Sequence, residues 1–152
     1  MAKARVENAI CGLLLVDPAV RALLADEGQQ PRIYWGYAPA SVANEAARYV
    51  VFRRIADDPD TTGSGHSGMT TSQYAFACWS KISMEDAAAT ADALEEVLDD
   101  ACASGTFVAS GVTIQRLASD GQTDDFEAPW DGGETGLSCR VLRATVTYET
   151  AG

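Results

Sequence analysis

The hydrophobic positions of the chain follow two rhythms. Val6, Ile10, Leu13 and Leu14 recur at helical spacing and predict a helix over 4–16. Asp17-Pro18 then reads as an N-cap with proline at the first helical position. A short second helix is expected over 19–25, with Val20, Leu23 and Leu24 inward and Gly28 closing it. From there the period changes to two. Arg32-Ile33-Tyr34-Trp35 reads as a short strand ending at Gly36, and Tyr49 to Ile55 as a strong strand of β-branched and aromatic residues. Between them, 39–47 is a polar, alanine-rich connection. Thr71 to Ser80 is the next strand, with Tyr74, Phe76 and Cys78 on one face and Ala75, Ala77 and Trp79 on the other.

The helical period returns after Ser83-Met84-Glu85-Asp86, which resembles a capping box with aspartate in place of the usual Glu or Gln. Ala87, Ala91, Leu94, Leu98 and Ala101 form an apolar stripe, and Gly105 ends the helix. Val112 to Leu117 reads as a strand. Leu137 to Tyr148 is a final long one, with Leu142, Ala144, Val146 and Tyr148 on one face. Two segments, 56–69 and 119–136, are rich in turn formers and acids and are expected as long loops. Strands come in adjacent runs and do not alternate with helices. The expected fold is therefore α+β, a mainly antiparallel sheet of about five strands packed against two main helices, in a single domain over 1–152.

Composition narrows the function classes. The 152 residues are 47% hydrophobic, enough for one self-standing core. The longest apolar stretch, Ile10 to Val16, falls short of the roughly 20 residues a membrane span needs. The basic start Met1-Ala2-Lys3-Ala4-Arg5 faintly mimics a signal peptide, but Glu7, Asn8 and Asp17-Pro18 interrupt it, so none is expected. With 11 basic against 22 acidic residues the net charge is −11, and no basic cluster exceeds Arg53-Arg54. Such a surface repels phosphates, which disfavours sequence-specific nucleic-acid binding while letting DNA pass nearby.

Candidate chemistry is sparse. Cys11, Cys78, Cys102 and Cys139 are far apart in sequence and read as reduced, mostly buried thiols. His66 is the one histidine, in a Gly/Ser-rich segment with no nucleophile elbow around it. Asp58-Pro59-Asp60-Thr61-Thr62-Gly63 opens like a calcium loop, but Met69 stands where the bidentate glutamate belongs. No catalytic residue, metal site or cofactor is expected. Asp92, Glu95, Glu96, Asp99 and Asp100 crowd the last helix, either as a solvated face or as a lumen or partner-facing one. Phe126 and Trp130 are aromatic in an otherwise acidic, turn-forming stretch. They either fold back onto their own core or anchor another subunit. The candidate contact residues for another subunit or a partner protein are Asp57, Asp58, Asp60, His66, Asp124, Asp125, Phe126 and Trp130.

The order of these motifs resembles the tail terminator, or tail completion, family of long-tailed phages. The stretches that carry it are Ile10 to Leu24, Arg32 to Pro39, Tyr49 to Ile55, Tyr74 to Trp79, Gly111 to Gln115 and Glu134 to Leu137 with the terminal strand. The resemblance covers nearly the whole chain. The acidic 120–133 stretch and the 57–68 segment depart from it. It implies a structural virion protein, assembled in the bacterial host cytoplasm as a homo-oligomeric ring, a hexamer. Such a ring sits at the head-proximal end of the tail tube, ends tube growth and meets head-connector proteins. Its partners would be the major tail tube protein and neck proteins, with genomic DNA passing through unread and no membrane involved. The alternatives are another neck or head-closure protein, or a small α+β ligand-binding or enzymatic module.

Overall fold

The computed structural model describes residues 6–25, 30–62, 65–102, 106–109, 111–127 and 137–150. Side chains at 43–45, 57–69, 107, 109, 125–127, 137 and 150 lie outside that description. The elements run α1 (Val6–Leu15), α2 (Pro18–Leu24), β1 (Ile33–Trp35), α3 (Ala40–Glu45), β2 (Arg48–Thr62), β3 (Gly65–Ser80), α4 (Met84–Asp100), β4 (Phe107–Ala109), β5 (Val112–Glu127) and β6 (Leu137–Thr150). The strands form one sheet in the order β1-β2-β3-β6-β5-β4. All pairings are antiparallel except β1 with β2, which is parallel. Two long hairpins, β2–β3 and β5–β6, are thus joined by the β3–β6 ladder, which runs from Met69 opposite Glu149 to Ser80 opposite Ser138.

The α+β, mainly antiparallel class agrees with the sequence pattern, and three details differ. The sheet has six strands, because Phe107–Ala109 adds a short edge strand. Ala40–Glu45 is a helix where a polar connection is expected. Most of the two expected loops is strand, since β2 runs to Thr62, β3 starts at Gly65 and β5 runs to Glu127. The partner ladder overrides local composition here. β1 covers only Val50 to Phe52, so at Pro59 β2 is an edge strand, the setting in which a strand proline is tolerated. Register shifts at Arg54/Ala56 and Pro59/Thr61 bend the strand. In β5 the shift between Ser119 and Gly121 uses Gly121 at φ 114, a conformation glycine reaches without a Cβ clash.

Helices α1, α2 and α4 cover one face of the sheet. Ile10 and Leu14 of α1, Val20 and Leu24 of α2, and Leu94 and Leu98 of α4 are fully buried with Phe52, Phe76, Ile114, Leu142 and Val146 from the strands. Asp17 caps α2 as expected, accepting from the Ala19 and Val20 amides at 3.1 Å. Ser83 caps α4, its hydroxyl accepting from the Asp86 amide at 3.0 Å. The Asp86 carboxylate does not return to the cap as the capping box predicts. Both its oxygens accept from Arg48 Nε at 2.9 and 2.8 Å, and Ser80 donates at 2.7 Å. That ion pair ties the start of β2 and the end of β3 to the head of α4.

Arg48 and its hydrogen bonds hold the Asp86 carboxyl below its ordinary 3.8. A depressed acid pKa stabilises the fold above the unfolded value and is lost as pH falls through the folded one. Asp86→Asn is therefore expected to cost about 1.5 kcal/mol near pH 7. That deficit should shrink toward zero only at a pH below that lowered folded-state value, where both chains carry a neutral group. Urea midpoints at the two pH values check it, and an equal deficit at both would contradict it.

Candidate assembly surfaces

The acids of α4 divide by helical spacing into two directions. Asp92, Glu95 and Asp99 lean toward β5. Gln122 donates to Asp92 at 2.9 Å and also to Glu95. The Ser119 hydroxyl donates to Glu95 and Asp99 at 3.0 Å each, and its amide to Asp99 at 2.8 Å. Arg140 continues the chain of bonds, donating through Nε to Gln122 at 2.8 Å and through Nη1 to Asp124. This set fastens the distal half of β5 to the helix layer. Glu96 and Asp100 point the other way, one turn apart and exposed. Together with Asp17 they rim a groove of about 410 Å³ between α1, α2 and α4, floored by Leu13, Ala93, Val97 and Ala101.

The opposite face of the sheet carries no described helix. Three consecutive rows cross it. Tyr49, Trp79 and Cys139 form the first, Val51, Ala77 and Val141 the second, Arg53, Ala75 and Arg143 the third. Tyr49 and Trp79 stack with ring centroids 6.3 Å apart, and Tyr49 is only 6% exposed. Arg116, two rows further along beside Thr147, is a third arginine on this face. Arg53, Arg116 and Arg143 are all exposed, and no carboxylate among the described residues accepts from them. Among the described side chains the acids of this face are engaged: Asp120 accepts from Thr145, and Glu149 from Gln115 at 3.4 Å.

The residues expected as subunit or partner-protein contacts lie, where described, toward the two ends of the sheet. Asp57, Asp58, Asp60 and His66 belong to the β2–β3 hairpin, where His66 lies opposite Thr61. Asp124, Asp125 and Phe126 sit near the far end of the β5–β6 hairpin, opposite Arg140, Cys139 and Ser138. The row of Asp58 and the row of Asp124 are seven positions apart along β3, from Thr71 to Cys78, or about 23 Å at 3.3 Å per residue. Of these residues, Asp124 has a described side chain, exposed and paired with Arg140. Trp130 lies outside the described residues. The open-face arginines went unremarked in the sequence pattern, although Arg140-Val141-Leu142-Arg143 places two arginines on opposite faces of one strand.

All four cysteines carry free thiols. Burial pushes the Cys78 thiol well up from its ordinary value, which keeps it protonated and unreactive. Among the described residues no cluster of His, Cys, Asp and Glu could hold a metal ion, and no helix is long and apolar enough to cross a membrane.

Comparison with known proteins adds to this geometry. Residues 8–150 match the family described as tail completion protein gp17. No curated protein matches in sequence. Eleven solved chains match in structure. One of them, from the virion of a native gene transfer agent particle, is 20% identical, with a TM-score of 0.62 and 91% of each chain covered. At that identity the likeness is one of fold.

Proposed function

Because this chain belongs to the tail completion protein gp17 family and is a structural protein of a virion, we propose that it forms a closed ring at the head-proximal end of a tail tube. There it ends tube growth and offers the head connector a docking surface, with no catalytic step. Six copies is the number its resemblance to tail terminators implies. The tail tube protein, neck proteins and copies of itself are its partners, and DNA passes through without being read. One geometric observation supports the reading: α1, α2 and α4 all pack on one side of the sheet. Among the described residues the other side combines half-buried apolar side chains, Val51, Ala77, Trp79 and Val141, with exposed arginines, which is the make-up of a protein contact surface.

The test is assembly. Analytical ultracentrifugation and negative-stain imaging of the purified chain, alone and with tail-tube protein, are expected to give rings and capped tube ends. A chain that stays monomeric and never binds a tube end would sink the proposal.

The two hairpin ends are further contact regions in this reading, one carrying Asp57, Asp58, Asp60 and His66, the other Asp124, Asp125, Phe126 and Trp130. Trp130→Ala is expected to weaken assembly about tenfold or more while leaving the monomer's melting temperature nearly unchanged. A loss of melting temperature in the isolated monomer with assembly intact would assign Trp130 to the core instead.

A further inference from the structure

Resting on the ring reading, we propose that copies join head to tail, the open sheet face of one seating its arginines on the acid-rimmed groove of the next. The first ground is the distribution of charge that has no opposite partner among the described residues. Arg53, Arg116 and Arg143 lie together on the sheet face, with Arg53 and Arg143 flanking the small Ala75 across two strand spacings, about 10 Å. Glu96 and Asp100 stand on the helix side of the molecule, exposed and without a cationic partner among the described residues.

The second ground is that apolar surface accompanies charge on both sides. The half-buried Trp79, Val51 and Val141 adjoin the arginines, while Leu13 and Val97 floor the groove between the acids. Contact would bury an apolar centre inside a charged rim. The third ground is placement. The two surfaces are unlike and face away from each other, so their contact is heterologous, the type that closes into a ring when the rotation per copy divides a full turn. Sheet against sheet sets arginine on arginine, and groove against groove sets acid on acid. Head-to-tail contact alone brings opposite charges together.

The free strand edges give no such match. The unpaired stretch of β2 carries Asp57, Asp58 and Asp60, and that of β5 carries Asp120, Asp124 and Asp125. Adding one edge to the other across copies would oppose like charges, the usual protection of an edge strand. A DNA duplex is a second polyanion for the arginines, but the net charge of −11 repels it.

Two charge-reversed variants test the contact, Arg53→Glu/Arg143→Glu and Glu96→Lys/Asp100→Lys. All four residues are exposed, so each variant is expected to melt within a few degrees of the parent. Each should self-assemble at least about 100-fold more weakly, because like charges then meet at every contact. An equal mixture of the two should restore rings, since the acidic sheet face meets the basic groove and the untouched groove meets the untouched sheet face at alternate positions. Arg53→Gln/Arg143→Gln should give an intermediate loss. Rings formed by either reversed variant alone, or a mixture that stays dissociated while the parent forms rings, would overturn the contact and leave the ring reading intact. A parent chain that remains monomeric with tube ends present would remove both. Loss of duplex affinity in the arginine variant with unchanged ring assembly would assign those arginines to nucleic acid and overturn the contact.

Discussion

Replacing Glu7 by alanine is expected to cost about 3 kcal/mol, although the residue sits in the first turn of a surface helix. Glu7 is 2% exposed, and its carboxylate accepts from both Arg54 and the Tyr74 hydroxyl. Arg54 in turn donates through Nε to the same hydroxyl at 3.0 Å and lies 5.6 Å from the Tyr74 ring centroid. Burial, reinforced by the Glu7 carboxylate, pushes the Tyr74 phenol far up from its ordinary value, so it remains a donor throughout the physiological range. Removing the acid leaves the buried Tyr74 hydroxyl and the partly exposed Arg54 guanidinium without their shared acceptor and loosens α1 from β2 and β3. Glu7→Gln keeps an acceptor without the charge and should cost about half as much. Denaturant midpoints decide the matter. A loss below about 1 kcal/mol for Glu7→Ala would mean that water replaces the carboxylate at little cost.

Phe76→Ala is expected to be more damaging still, at about 4 kcal/mol, with a fall in Tm of roughly 10 °C. Phe76 is fully buried at the centre of three aromatic rings, 5.1 Å from Phe52 and 6.5 Å from Tyr74 between centroids, and its neighbour on β6 is Leu142. The rings belong to the strand layer that α1 and α4 cover, and a lost ring leaves a void that a paired sheet closes poorly. Phe76→Leu, which keeps most of the volume, should cost about 1.5 kcal/mol. Calorimetry on both variants separates void from chemistry. Equal losses for Ala and Leu would show that ring stacking, and not filled space, is what Phe76 supplies.

The legible parts of the fold are those where one periodicity persists. The Ile10–Leu14 and Leu94–Leu98 spacings place α1 and α4, and the alternation of Tyr74, Phe76 and Cys78 identifies the buried side of β3. The distal halves of β2 and β5 were hidden because Asp57-Asp58-Pro59-Asp60 and Ser119-Asp120-Gly121 have turn-forming local preferences. Ladder bonds to β3 and β6 supply what those preferences lack. For the candidate surfaces, the acids of α4 were visible as a cluster. Their division was not, because Ser119 and Gln122, which draw Asp92, Glu95 and Asp99 one way, stand 20 to 30 positions downstream. Arg53, Arg116 and Arg143 are isolated in the sequence and become neighbours on one face only through the register of four strands.

The place of β6 has a bearing on how the chain is made. It is the latest of the described elements, yet it lies in the middle of the sheet, between β3 and β5. Until it is synthesised, β5 and β4 have no ladder to the β2–β3 hairpin, and Thr70 must wait for Tyr148 to emerge. Ladders between residues so distant in sequence form late and cooperatively. A nascent chain on the ribosome therefore displays no finished sheet face. In the proposed head-to-tail contact, the Arg143 side is absent until translation has reached β6, so a prematurely released fragment lacks one of the two surfaces a growing assembly needs.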